Sequence, residues 1–286
     1  MSSVIVRYSE IGLKGKNRIV FEKKLMNNIR SCLDRNQIAF SSIKNPRGRI
    51  LISGIKFCRP LNCVFGIGSF SETVNAGFNM EEIKKTALNL IKDKLKNKSF
   101  CVSCQRLDKS FPVNSMEFAK ELGLFIQDKT KAQVNLKKPD ITIYAEIIDG
   151  MVYLFTEKIK GLGGLPLGIE GNVIVKTDDE SSLLSAILMM KRGCDVFCVG
   201  KKKFDIGLLR KFNYGSKINL KILKTYNEMN AFAREKHSKG FIVSDTFNSV
   251  EKYKFELPVF RPLSAFSKEQ IKERLDGFRE RVCKAV

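Results

Sequence analysis

Residues 172–200, NVIVKTDDESSLLSAILMMKRGCDVFCVG, hold the densest set of groups able to do chemistry. Val173 to Val175 make a β-branched run, Leu183, Leu184, Ile187 and Leu188 recur at helical spacing, and Asp195 to Val199 read as a second strand. That order is a βαβ unit, whose first turn can present backbone N–H groups to phosphate oxygens at a helix N-terminus. Such turns are usually glycine-rich, because the backbone must approach the phosphate closely. Here the turn is Thr177, Asp178, Asp179, Glu180, Ser181 and Ser182. Like charges ~4 Å apart repel by about 4 kcal/mol at an effective dielectric of 20, so the turn disfavours the polyanion its position suits. A Mg²⁺ ion on Asp178, Asp179 and Glu180 would reverse that logic, but the phosphate oxygens would still need N–H donors. The acids are therefore read as helix caps favoured by the dipole, and no catalytic or metal-ligating residue is assigned.

Other reactive side chains offer little. Cys32, Cys58, Cys63, Cys101, Cys104, Cys194, Cys198 and Cys283 are scattered among apolar neighbours and read as reduced core thiols. Cys101 and Cys104 form a C-x-x-C inside FCVSCQR, an alternating strand that points them to opposite faces. His237, the single histidine, sits in the lysine-rich AREKHSKG and reads as a solvated surface residue.

The elements that position these groups belong to a soluble, multidomain chain. Its 51 Lys+Arg against 30 Asp+Glu leave +21 over 286 residues, an excess that favours a polyanionic partner. No apolar run reaches the ~18 residues of a membrane span, and MSSVIVRYSE lacks a signal layout, so no membrane partner and a cytoplasmic location are expected. Strand SVIVRY, a turn carrying Lys14, Lys16 and Arg18, an amphipathic helix through Phe21, Leu25 and Ile29, and strand RGRILISG with Arg47 and Arg49 suit a ferredoxin-like α+β domain over 1–75. A second unit over 76–168 has a helix from about Met80 to Lys96, strand FCVSCQR, a helix capped near Asn114, and a hairpin turning at Asp149 and Gly150. In that hairpin Ile141, Ile143, Ala145 and Ile147 take one face, and Thr142, Tyr144 and Glu146 the other. EKIKGLGGLPLG then reads as a flexible, turn-rich connection. Alternating strands and helices over 169–286 predict a shortened, doubly wound parallel sheet.

Several strings resemble the tRNA 4-thiouridine sulfurtransferase family, which is also linked to thiamine biosynthesis. They are RYSEIGLKGKNRIVFEKKLMNNI (7–29), RLDKSFPVNSMEFAKELG (106–123), VNLKKPDITIYAEI (134–147), YLFTEKIKGLGGLPLG (153–168), LMMKRGCDV (188–196) and PVFRPLSAFSKEQI (258–271). The resemblance implies a ferredoxin-like domain, an RNA-binding THUMP domain and an ATP-pyrophosphatase (PP-loop) domain. It also implies a grip on the acceptor end of tRNA, and adenylation of a uridine that then takes sulfur from a persulfide cysteine. Lys14, Lys16, Arg18, Arg47, Arg49, Arg106, Lys109, Lys158 and Lys160 are the candidate RNA contacts.

The third module departs from the family pattern. Its S-G-G-x-D-S loop is replaced by Thr177 to Ser182, with Asp178 and Asp179 in place of the paired glycines and Ser181 in place of the loop aspartate. The relay helix has no counterpart, since KTYNEMNAFAREKHSKG (224–240) contains no cysteine. The chain is thus expected to bind tRNA without adenylating it and to need no cofactor, its third module serving as a scaffold or a dock for a partner protein or second copy. The alternative is an active uridine sulfurtransferase using ATP and Mg²⁺, with a sulfur donor in trans.

Overall fold

The computed structural model describes residues 2–55 and 58–285. Its helices are α1 (Arg18–Arg35), α2 (Met80–Ile91), α3 (Ser115–Thr130), α4 (Ser181–Lys191), α5 (Gly207–Arg210), α6 (Tyr226–Glu235) and α7 (Lys268–Cys283). The strands are β1 (Ser2–Tyr8), β2 (Ser42–Lys44), β3 (Ile50–Ser53), β4 (Ile67–Ala76), β5 (Phe100–Arg106), β6 (Ile141–Ile148) and β7 (Met151–Phe155). They continue with β8 (Ile159–Lys160), β9 (Asn172–Lys176), β10 (Asp195–Gly200), β11 (Leu220–Ile222), β12 (Phe241–Ile242) and β13 (Val259–Phe260). Two compact units result, one of Met1–Arg7, Ala39–Cys58 and Ser69–Ile159, the other of Tyr8–Ile38, Arg59–Gly68 and Lys160–Val286.

The first unit is built on a sheet of order β2-β3-β1-β4-β7-β6-β5. β6 and β7 form the expected antiparallel hairpin, closed by Asp149 and Gly150 at φ 45° and 80° as a two-residue turn requires. β5 runs parallel to β6, and α3 makes the crossover between them. Asn79 and Asn114 cap α2 and α3 by accepting N–H bonds from the first turns. Ile83, Ala87 and Ile91 of α2 and Phe118, Leu122 and Ile126 of α3 then pack on Ile143, Ala145, Ile147, Val152 and Leu154, which alternation puts on one face of the hairpin. α2 stops at Ile91 rather than near Lys96: Lys94 N–H bonds to Ile91 C=O in a tight turn, and Leu95 folds back onto the core.

In the second unit every strand pair is parallel and the order is β11-β10-β9-β12-β13, the doubly wound arrangement expected of 169–286. α6 buries Met229, Phe232 and Ala233 against Ile174, Val199 and Phe241, while α4 packs on β9 and β10. The last two strands of the alternation are short and pair only over Phe241–Ile242 and Val259–Phe260.

The glycine-rich connection is not flexible. Gly163 N–H donates to Ile67 C=O at 2.7 Å and Gly66 N–H to Gly163 C=O at 2.9 Å, while Leu162, Leu165 and Leu167 are buried. A Cβ on Gly161 would collide with the Ile67 carbonyl, and one on Gly164 with that of Lys191. These glycines permit backbone contact and do not loosen the chain.

Candidate functional site

Strand alternation places Arg7 (β1), Arg49 just before β3, Tyr144 and Glu146 (β6) and Phe155 (β7) on the face of the first sheet away from α2 and α3. The Glu146 side chain, on the face that alternation gives it, is only 3% exposed. It is covered because two cations converge on it: Arg7 Nε donates to Oε1 at 2.6 Å and Arg49 Nε to Oε2 at 2.8 Å. Arg7 also donates to the Ser71 hydroxyl at 3.1 Å, and Arg49 to Gln105 Oε1 at 3.0 Å. Tyr144 and Phe155, register partners, stack with centroids 5.2 Å apart. Arg7 lies over the Phe155 ring and Lys158 Nζ 3.9 Å above Tyr144. Burial, helped by Arg7 and Arg49, pulls the Lys158 ammonium below the usual lysine range. One carboxylate among three cations leaves this face positive, and stacked rings beside cations suit a nucleic acid.

Arg47 and Lys109 gather elsewhere in the unit, around a residue that composition did not single out. The Asp108 carboxylate accepts from the Ser110 N–H (3.0 Å) and hydroxyl (2.8 Å) and from the Gly150 N–H (3.0 Å), with Arg47 3.5 Å away. The two Ser110 bonds, then Gly150 and Arg47, hold its carboxyl below the usual carboxylate range. Arg47 also pairs with Asp149 at 2.9 Å, and Lys109 next to this anchor is exposed. Arg106 donates to the carbonyls of Phe111 and Val113 at 3.0 and 3.1 Å, which makes it a brace for the loop leading to α3.

The remaining candidates lie in the second unit. Lys14 pairs with Glu170 at 3.5 Å and covers Phe21, Arg18 donates to Glu22 and to the Tyr8 hydroxyl, and Lys16 and Lys160 are exposed.

The loop of 177–182 sits at the C-terminal edge of the parallel sheet, where β9 neighbours β12 and the strand order reverses, the usual ligand position in such sheets. Thr177 is fully buried, its N–H and hydroxyl both donating to Val199 C=O. Asp179 Oδ1 accepts the Ser182 N–H at 2.8 Å, and Oδ2 accepts the Ser244 hydroxyl at 3.0 Å. The Leu183 N–H bonds to Glu180 C=O, and the Ser182 hydroxyl to Asp179 C=O. Of the three acids expected to cap α4, only Asp179 does so: Asp178 pairs with Lys176 and Glu180 with Arg279. They turn to separate partners, so the three do not fit a shared Mg²⁺. Lys176, although burial disfavours its charge, is held above the usual lysine range by Asp178 and Glu251.

A crevice of about 180 Å³ opens beside this loop, lined by Asp178, Asp179, Asp245 and Glu251 with Lys176 as its cation. Asp245 is held by the Tyr253 hydroxyl at 2.5 Å and Arg261 at 3.1 Å. Burial and the bond to Asp245 push the Tyr253 hydroxyl well above the usual phenol range. Cys198 lies buried in β10 and Cys194 just before it; burial drives the Cys198 thiol up to about 12 and raises that of Cys194, so neither is an activated nucleophile. Cys101 and Cys104 alternate along β5 as expected.

The chain thus combines an α+β unit with a doubly wound parallel-sheet unit, and known proteins share this combination. The ThiI ferredoxin-like domain matches residues 3–71 and the THUMP domain residues 78–157. A probable tRNA sulfurtransferase of Thermococcus kodakarensis is 32% identical over 324 residues, covering 94% of this chain and 85% of that protein. One from Natranaerobius thermophilus is 40% identical over 208 residues, 68% of this chain and 50% of that protein; the chain spans about half the length of several such relatives. The crystal structure of PH1313 from Pyrococcus horikoshii superposes with TM-score 0.88 at 37% identity, covering 96% of this chain and 100% of that one. A 4-thiouridine synthetase in complex with RNA and bound ATP gives TM-score 0.82 at 25% identity, covering 100% and 86%. The chain belongs to the tRNA sulfurtransferase family.

Proposed function

We propose that this protein binds tRNA at its acceptor end and does not itself adenylate it. The RNA half is supported by the +21 charge, by the Glu146-centred face with its stacked rings, and by the matched THUMP domain. Arg47, Arg49, Lys109 and Lys158 in the first unit, and Lys14, Lys16, Arg18 and Lys160 in the second, serve as phosphate contacts, with Arg106 bracing a loop. The modules run over 1–75, 76–168 and 169–286, and the protein works in the cytoplasm.

The observation that carries the second half is the Asp179 carboxylate on the Ser182 N–H. An internal anion takes the helix-terminus donor that an ATP phosphate would use, and Asp178, Asp245 and Glu251 surround it with like charge. No ATP or Mg²⁺ is then required, and the third module acts as a scaffold or as a dock for a partner protein or second copy.

The test is binding of tRNA against an unrelated acidic polymer across a salt series, with calorimetry of ATP with and without tRNA. Steeply salt-dependent, tRNA-preferring binding and no heat from micromolar ATP are expected. Absence of tRNA preference sinks the first half. AMP released in a tRNA-dependent way, or thiouridine formed with tRNA, ATP and sulfide, sinks the second and makes the protein a working sulfurtransferase.

A further inference from the structure

The first unit carries a second basic region that none of the sequence strings drew attention to. A groove of about 890 Å³ lies where the chain enters β5, lined by Lys92, Lys96 and Lys98 from the turn after α2, Lys129 and Lys131 from the end of α3, and a single carboxylate, Asp140. Asp140 is committed internally. It accepts the Ser99 hydroxyl at 2.6 Å and the Ser99 N–H at 2.8 Å, bonds that hold it below the usual carboxylate range. Asp128, outside the lining, is shared between Lys131 at 3.1 Å and Lys129 at 3.7 Å and is 64% exposed, so solvent screens it. The lysines gather where α2 and α3 end, and the negative partial charge of helix C-termini favours cations there.

The lining has no aromatic ring, so bases have nothing to stack on, in contrast to the Tyr144 and Phe155 pair. It has no arginine fork either, so what it offers is a row of ammonium groups for phosphates. Asp108 and Lys109 follow the far end of β5, whose 7 residues at ~3.3 Å each separate the two basic regions by roughly 20 Å. A rigid ligand with regularly spaced phosphates can reach both.

We infer that this groove is a second phosphate-binding surface and takes the backbone of an RNA duplex. The inference rests on the tRNA-binding reading but fails separately from it. The test uses the full chain carrying Lys96→Gln, Lys98→Gln and Lys131→Gln, all exposed positions, beside a variant with arginine at the same three places. Both are titrated with tRNA, a blunt RNA duplex, a single-stranded RNA of the same length, and anionic-lipid vesicles. The glutamine variant loses about tenfold in affinity for tRNA and duplex and its salt slope becomes shallower by ~2 to 3. Its single-strand binding stays unchanged, and the arginine variant behaves as the natural chain. Unchanged duplex affinity overturns the inference, and so does an equal loss on single strands. Vesicle binding that falls while duplex binding holds reassigns the groove to a lipid surface. A natural chain that shows no preference for RNA refutes the tRNA-binding reading itself, whatever the groove variants do.

Discussion

In the first unit the Glu146 carboxylate accepts from Arg7 and Arg49; in the second the Asp179 carboxylate accepts from the Ser182 N–H and the Ser244 hydroxyl. The two residues carry the same functional group, and the sign of the surroundings is opposite. Charged donors overcompensate Glu146, leaving an attractive field for anions, and the carboxylate in turn holds together two guanidinium groups that would otherwise repel each other. Neutral donors leave the charge of Asp179 in place, in a crevice with three further acids. The sign of a site follows from the charge of the donors around its carboxylate more than from the carboxylate itself.

Removing Glu146 breaks the comparison most severely. Glu146→Ala leaves two half-buried guanidiniums without their counter-charge and should cost on the order of 3 kcal/mol of folding stability, read by denaturant titration. A loss under ~1 kcal/mol would mean that both arginines reach water when released and that the face is not organised by the carboxylate. Next comes the charge of the face: Arg49→Glu with Lys158→Glu should weaken tRNA binding on the order of tenfold to a hundredfold at moderate salt, in a gel-shift titration. Equal affinity for the doubly substituted chain would move the RNA to another surface.

On the acidic side the expected changes are smaller. Asp179→Ala removes a helix cap and should lower stability by ~1 kcal/mol. Asp178→Gly with Asp179→Gly should cost only a few tenths more and release N–H groups for phosphate, so heat from ATP should appear in that variant alone. Failure of the paired glycines to gain any nucleotide binding would show that Asp245 and Glu251 suffice to keep the crevice closed to anions. The mildest perturbation is protonation of Asp108, which takes place only in acid. Its folded-state value lies below the ~3.9 of an unfolded aspartate, so its contribution is complete above that value and is lost as pH falls through the lower folded one. Thermal midpoints followed from neutral to strongly acidic pH should fall less steeply for Asp108→Asn; parallel curves would rule out this carboxylate as the acid-sensitive group.

Much of the architecture was legible beforehand. Periodicity located the β9-α4-β10 unit, the hairpin at Asp149 and Gly150, the capping asparagine at 114 and the parallel character of the last module, because each depends on neighbours within a few residues. The basic positions were also visible, but their division of labour was not. Arg106 looks like Arg49 in sequence, yet one braces a loop through two carbonyls and the other is half of a pair on a buried carboxylate. Asp108 was not singled out and Glu146 stood only as one residue of an alternating strand, since the donors around a carboxylate in a basic chain are seen only in the fold. The lysine groove stayed hidden for a similar reason: 92–98 and 129–131 meet only when the ends of α2 and α3 come together.

What the sequence alone determined is the order of elements, the excess of positive charge, and the run of three acids Asp178, Asp179 and Glu180 in the turn after β9. Those are local or additive properties, and nothing distant can undo them. Tertiary structure decided which face of the hairpin hides Glu146, which acid reaches the helix N-terminus, and why the glycines near 163 are needed. Each of these depends on atoms far apart in the chain, where a side chain's role is set by the donors, acceptors and backbone that packing brings within hydrogen-bond reach.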